Sequence, residues 1–163
     1  MRRTQSLSGG LLATAPFHWQ GDHATLTNVM EDTFVSRMGG VMPDDATVAA
    51  LGTFLDRLPA PKPLAGAVNE ALGRAAFLKA NCQSCHAGAR MVTNSTMSVG
   101  RGEAFQVPSL VGVSRRGPWM HDGCAKTLRA RLLDPECGGD RHGEVMRLAP
   151  DELEALISWL ETR

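Results

Sequence analysis

The strongest constraint on this chain is that it repeats itself. Ala15-Pro16-Phe17-His18-Trp19-Gln20-Gly21 is echoed by Gly117-Pro118-Trp119-Met120-His121-Asp122-Gly123, and Ala24-Thr25-Leu26 by Lys126-Thr127-Leu128. Pro16 and Pro118, Gly21 and Gly123, and Thr25 and Thr127 all stand 102 residues apart. The echo extends outward. Ser6-Leu7-Ser8-Gly9 returns as Ser109-Leu110-Val111-Gly112, Met38-Gly39 as His142-Gly143, and Phe54-Leu55 as Trp159-Leu160. Chance supplies one such match, not an ordered series, so two related units are expected. The second unit carries Cys82-Gln83-Ser84-Cys85-His86 ahead of its Ser-Leu-x-Gly segment, and the first has no counterpart. Residues 1–58 therefore read as a partial unit and residues 67–163 as a whole one. Pro59-Ala60-Pro61-Lys62-Pro63 opens a stiff, extended linker over 59–66.

At 163 residues the chain is long enough to bury a real core. Lys plus Arg and Asp plus Glu number 17 each, so the charge balance offers no footprint for nucleic acid or an anionic membrane. No apolar run approaches the roughly 20 residues of a transmembrane helix. Met1-Arg2-Arg3 followed by Leu7 to Ala15 superficially resembles an export signal, with Ala13-Thr14-Ala15 as its cleavage site. Ser8, Gly9 and Gly10 interrupt the apolar part, and the repeat accounts for this segment better. The expectation is the tail of a longer secreted chain without its signal.

The patterning is helical. Val48, Leu51, Leu55 and Leu58 form one stripe behind Asp44 or Asp45, and Leu153, Leu156, Ile157 and Leu160 form another behind Pro150. A third helix is expected from 67 to 81, running into the cysteine segment, with further turns at 24–36 and 125–133. No alternating strand stands out, so the predicted class is all-α.

Cys-x-x-Cys-His is the attachment pattern of c-type haem. Two thiols at that spacing reach two vinyl groups on one porphyrin edge, and the adjacent imidazole falls beneath the iron as an axial ligand. A redox pair would want a βαβ context. Zinc would need a second ligand pair, and Cys124 with Cys137 makes a poor one. One covalent haem c, held through Cys82, Cys85 and His86, is the expected cofactor. Its other face calls for a Met or second His, and Met91, Met97, Met120, Met146, His121 and His142 are all downstream candidates. Composition and spacing leave these level.

Val107-Pro108-Ser109-Leu110, then Gly117-Pro118-Trp119-Met120-His121-Asp122-Gly123 and Thr127-Leu128, following Cys-x-x-Cys-His, resemble the bacterial di-haem cytochrome c peroxidase and MauG-like family. The resemblance covers 70–163, with 1–58 similar to part of a preceding haem domain. It implies a cytochrome c-like helical haem domain behind a partial cytochrome c-like unit that lacks the haem motif. It also implies that the helix before Cys82 crosses the last helix near Trp159, and that Pro108 lies on the His86 side. The family's sixth ligand is a Met followed by Gly. His142-Gly143 occupies that place, so His142 is the implied ligand, with Met146 and then Met120 as alternatives; Met38 takes the equivalent place in the first unit. Asp134-Pro135-Glu136-Cys137-Gly138-Gly139 is an insertion relative to the family. His121 and Asp122 are expected to hold their loop, Trp119 to border the cofactor, and Arg115 with Arg116 to face its propionates.

Haem attachment implies an extracytoplasmic, periplasmic-type compartment where disulfides persist. Cys124 and Cys137 bracket the inserted loop, so a disulfide between them is expected, with two buried thiols as the alternative. The implied function is single-electron transfer with a redox partner protein or an adjacent haem domain. The alternatives are the electron-input domain of a di-haem peroxidase-like or MauG-like oxidase, and a zinc-stapled module without haem.

Overall fold

A computed structural model describes residues 2–66 and 68–163, with the Asp140 side chain outside the description. Five helices carry it: α1 (Leu26–Val29), α2 (Asp45–Asp56), α3 (Glu70–Lys79), α4 (Leu128–Leu133) and α5 (Pro150–Glu161). The 24–36 prediction resolves into α1 followed by a wide π-type segment, Met30–Arg37. The third predicted helix begins at Glu70 because the Asn69 side chain caps it, accepting from Leu72 N at 3.0 Å. Asp44 caps α2 through Thr47 N at 2.7 Å.

The chain is helix-rich rather than purely helical. A two-stranded antiparallel ribbon pairs β1 (Thr96–Ser98) with β2 (Ala104–Gln106), with Met97 opposite Phe105. Each strand has three residues, too few to show an alternating pattern, and left-handed Gly100 and Gly102 (φ 77° and 80°) shape the connection.

The core is the crossing of α3 and α5, as the resemblance implies. Gly73 makes the close approach possible: a Cβ there would stand 2.4 Å from Trp159 Cβ and 2.8 Å from the Ala155 carbonyl. Phe77 packs on Trp159 at 5.1 Å between ring centres, and Trp159 Nε1 donates to Glu70 at 2.8 Å. Leu156 and Ala76 are fully enclosed. No described helix is long and apolar enough to cross a membrane.

The sequence echo has a geometric counterpart. Phe17 bridges His23, and Trp119 bridges Ala125. His18 and Met120 both adopt left-handed backbone, φ 67° and 71°. Thr25 and Thr127 each cap the helix that follows, accepting from Asn28 N at 3.2 Å and Ala130 N at 3.0 Å. Gly9 N donates to the Leu58 carbonyl and Gly112 N to the Arg163 carbonyl, both at 3.0 Å, tying a glycine turn to the end of a helix in each unit. Backbone bonds join the units directly: Gln106 N to Trp19 O at 2.8 Å and Arg3 N to His121 O at 2.7 Å.

Candidate functional site

The cysteine segment follows α3 through a left-handed Asn81 (φ 57°) and continues as a 3-10 turn, Cys82–Ser84. His86 N and Cys85 N both bond the Cys82 carbonyl, at 2.9 and 3.2 Å, and the tight turn brings Cys82, Cys85 and His86 to the wall of one cavity. That cavity has a volume of about 750 Å³, within the range of pockets that enclose a sizeable ligand. Pro108, Trp119, Met120, His121 and His142 also line it.

His86 is buried, and its Nδ1 lies 3.2 Å from the Met91 carbonyl. A carbonyl only accepts, so Nδ1 carries the proton. Burial holds the pKa of this imidazole below its ordinary value, against the opposing pull of the Met91 and Pro108 carbonyls. A neutral ring protonated on Nδ1 keeps a lone pair on Nε2, the arrangement that orients metal-ligating histidines. The resemblance placed Pro108 beside His86, and its carbonyl does face the ring.

His142 follows the 3-10 turn Gly139–Arg141. Gly143 runs so close to the end of α3 that a Cβ would touch the Ala80 carbonyl at 3.0 Å and Cys82 Sγ at 3.8 Å, and Glu144 N bonds the same carbonyl at 2.9 Å. These contacts hold the imidazole near that of His86: the ring centres are 6.1 Å apart and the planes lie at 80°. Two metal–imidazole bonds of roughly 2 Å, each with about 1.1 Å more from nitrogen to ring centre, span about 6 Å. Two histidines at this separation therefore fit one iron between them. His142 Nδ1 is buried without a hydrogen-bond partner among the described residues. Burial, then the nearby Arg131 and His86, keep the ring neutral, with a pKa well below the ordinary value.

The other candidates separate by position. Met97, Met120 and His121 line the cavity, whereas Met91 and Met146 do not. Met146 is 79% exposed, and Met38 in the first unit is 70% exposed. Arg115 turns away, donating from Nε to the Lys62 carbonyl at 3.3 Å. Arg116 lines the cavity and is held by the Ser109 and Ser8 carbonyls at 3.1 and 3.3 Å. Asp122 holds its loop, accepting from Cys124 N at 3.2 Å and pairing with Arg101 at 2.8 Å. His121 stacks on Phe105 at 4.5 Å and meets Trp19 of the first unit edge-on.

Arg131 is the cavity residue that sequence reasoning missed. It is buried beside both histidines, donates to the Cys137 carbonyl at 3.2 Å, and burial pushes its pKa down to about 10. A signal was present: Arg131 interrupts the apolar stripe of Leu128 and Leu132. The Cys124–Cys137 disulfide is formed, with Cα atoms 5.8 Å apart, and it anchors the inserted loop whose carbonyl receives Arg131. Burial pushes the Cys82 thiol up to about 11, which does not suit a reactive redox cysteine.

No family model and no curated protein matches this sequence. Solved structures do. A hydrazine synthase of Kuenenia stuttgartiensis superposes with a TM-score of 0.75 at 19% identity, over 99% of this chain and 72% of that one. A MauG-like protein associated with microbial copper homeostasis superposes with a TM-score of 0.71 at 15% identity, again over 99% and 72%. The fold is MauG-like. At these identities the likeness is one of fold, and it spans both repeats rather than the second alone.

Proposed function

We propose that this chain is a c-type cytochrome domain that carries single electrons on one haem, attached through Cys82 and Cys85 and ligated by His86 and His142. The observation that carries the reading is the pair of imidazoles that line one cavity with ring centres 6.1 Å apart, beside the two cysteines. Bound there, a haem supplies a one-electron couple. The chain's own residues set its terms. His86, fixed by the Met91 carbonyl, presents Nε2, while the Gly143–Ala80 contact fixes His142. Phe77, Leu128, Leu132, Leu156 and Leu160 line the cavity and would keep water from a bound haem, and Arg131 and Arg116, also in its lining, would supply positive charge for its carboxylates. Two histidine ligands leave no position for a substrate, which favours carrying electrons over catalysis. The Cys124–Cys137 disulfide supports an extracytoplasmic location, and residues 1–58 supply the first of the two repeated units.

The alternative, an electron-input domain of a MauG-like oxidase, draws support from the shared fold and from a cavity that continues into the first unit past Leu26, Val29 and Leu51. Zinc at the cysteines is disfavoured. Among the described residues, the three-residue cluster of potential metal ligands lies elsewhere, at His18, Asp22 and His23.

Carbon monoxide tests the ligand assignment. The reduced protein should leave its spectrum unchanged under carbon monoxide, His142→Ala should bind it readily, and Met146→Ala should behave like the parent. Ready binding by Met146→Ala alone would remove His142 from the site.

A further inference from the structure

We propose that His18, Asp22 and His23 form a second metal site, one that takes a divalent transition ion such as Zn²⁺ and is separate from the haem ligands. Their ligand atoms all lie within 4.8 Å of one another, and the two imidazoles meet edge-on with centres 4.2 Å apart. Two imidazoles and one carboxylate suit a borderline divalent ion and leave further positions for water.

The surrounding chain prepares these groups. His18 Nε2 meets Thr33 Oγ1 at 3.2 Å, leaving Nδ1 toward Asp22 Oδ1 at 3.4 Å. His23 Nε2 meets Asp32 Oδ2 at 3.1 Å, and Arg37 holds the same carboxylate oxygen at 2.6 Å. A carboxylate on the far nitrogen of an imidazole fixes its tautomer and raises its strength as a ligand. Both outer partners sit on the π-type segment Met30–Arg37, a geometry frequent at functional sites. His18 and His23 are largely covered, while Asp22 is half exposed, so an ion can enter from solvent.

The second unit is an internal control. It builds the same loop, with the same bridge and the same left-handed residue, yet carries Met120, Cys124 and Ala125 where the first has His18, Asp22 and His23. Cys124 is consumed by its disulfide. The loop therefore does not require histidines or a carboxylate for its shape, and the ligand set belongs to the first unit alone.

Calorimetric titration of Zn²⁺ into the full, haem-loaded chain tests the site. One ion per chain is expected, with no comparable uptake of Mg²⁺, because imidazole ligands do not suit a hard cation. His18→Ala with His23→Ala should abolish uptake. Asp32→Asn, which keeps every direct ligand, should weaken it by about ten- to hundred-fold. Asp22→Asn is half exposed and outside the core, so it should weaken binding while leaving the haem spectrum and helicity unchanged. No uptake by the parent, or undiminished uptake by the double histidine variant, overturns the proposal. His18 also lines the cavity of His86 and His142, so the haem spectrum of the double histidine variant is recorded beside its uptake, and the uptake result does not decide the haem ligands.

Discussion

Phe54 and Trp159 hold equivalent places in the two repeats, on α2 and α5, yet Phe54 is 61% exposed and Trp159 only 6%. The difference is α3. Trp159 lies over Gly73, against Phe77 and under a bond to Glu70, whereas α2 has no second long helix across it among the described residues. The loops behave oppositely. The 17–25 and 119–127 segments keep the same bridge, left-handed residue and threonine cap despite sharing few side chains. Loop geometry here is set by local hydrogen bonds and backbone conformation. Helix burial is set by what crosses the helix, and so is the cavity that α3 helps to wall.

That contrast is open to breakage by mutation, and the largest effect is expected at the equivalent aromatics. Trp159→Ala should cost about 3–5 kcal/mol in urea unfolding of the haem-loaded chain. Phe54→Ala should stay within about 0.5 kcal/mol, as surface changes do. Equal costs would mean that α2 is as fully packed as α5.

Opening the Cys124–Cys137 bridge removes a restraint that only the second unit has. Cys124→Ser with Cys137→Ser should lower stability by about 3 kcal/mol, from the short loop that the bridge closes. The same change should loosen the loop that holds Arg131, read as faster amide exchange over 131–141. An unchanged exchange pattern would show that Arg101, which donates to the Glu136 carbonyl, and Arg131 hold that loop by themselves.

The glycines give the finest test. Gly73→Ala should destabilise by about 1–3 kcal/mol, because its methyl meets Trp159 and the Ala155 backbone. At Gly52 of α2 a methyl would meet only Leu26 and Leu12 side-chain ends, at 3.3 and 3.5 Å. Gly52→Ala should therefore be neutral, or stabilise by up to about 1 kcal/mol through helix propensity. A cost at Gly52 matching that at Gly73 would place an equally tight contact in the first unit.

What was legible in the sequence follows the same division. Asp44 and Pro150 announced helix starts because capping is local, and the offset of 102 announced repeated loops. Asn69 was equally local, but the helical run masked it and the helix was expected two or three residues early. β1 and β2 were hidden by their brevity. The Arg115–Arg116 pair looked alike in sequence, and only the fold separates Arg116 in the cavity from Arg115 on the linker. Arg131 needed tertiary information, since what makes it notable is the two histidines beside it. The His18–Asp22–His23 cluster was visible only as part of the repeat, because its outer partners Asp32 and Thr33 come from the next segment.

The central claim is one haem on one motif. Intact mass and peptide mapping of the chain, matured in a periplasm with cytochrome c assembly machinery, tests it most directly. The account predicts a single haem addition, retained after acid-acetone extraction and confined to the peptide containing Cys82, Cys85 and His86. A chain at its haem-free mass under those conditions, with both thiols open to alkylation, would contradict it.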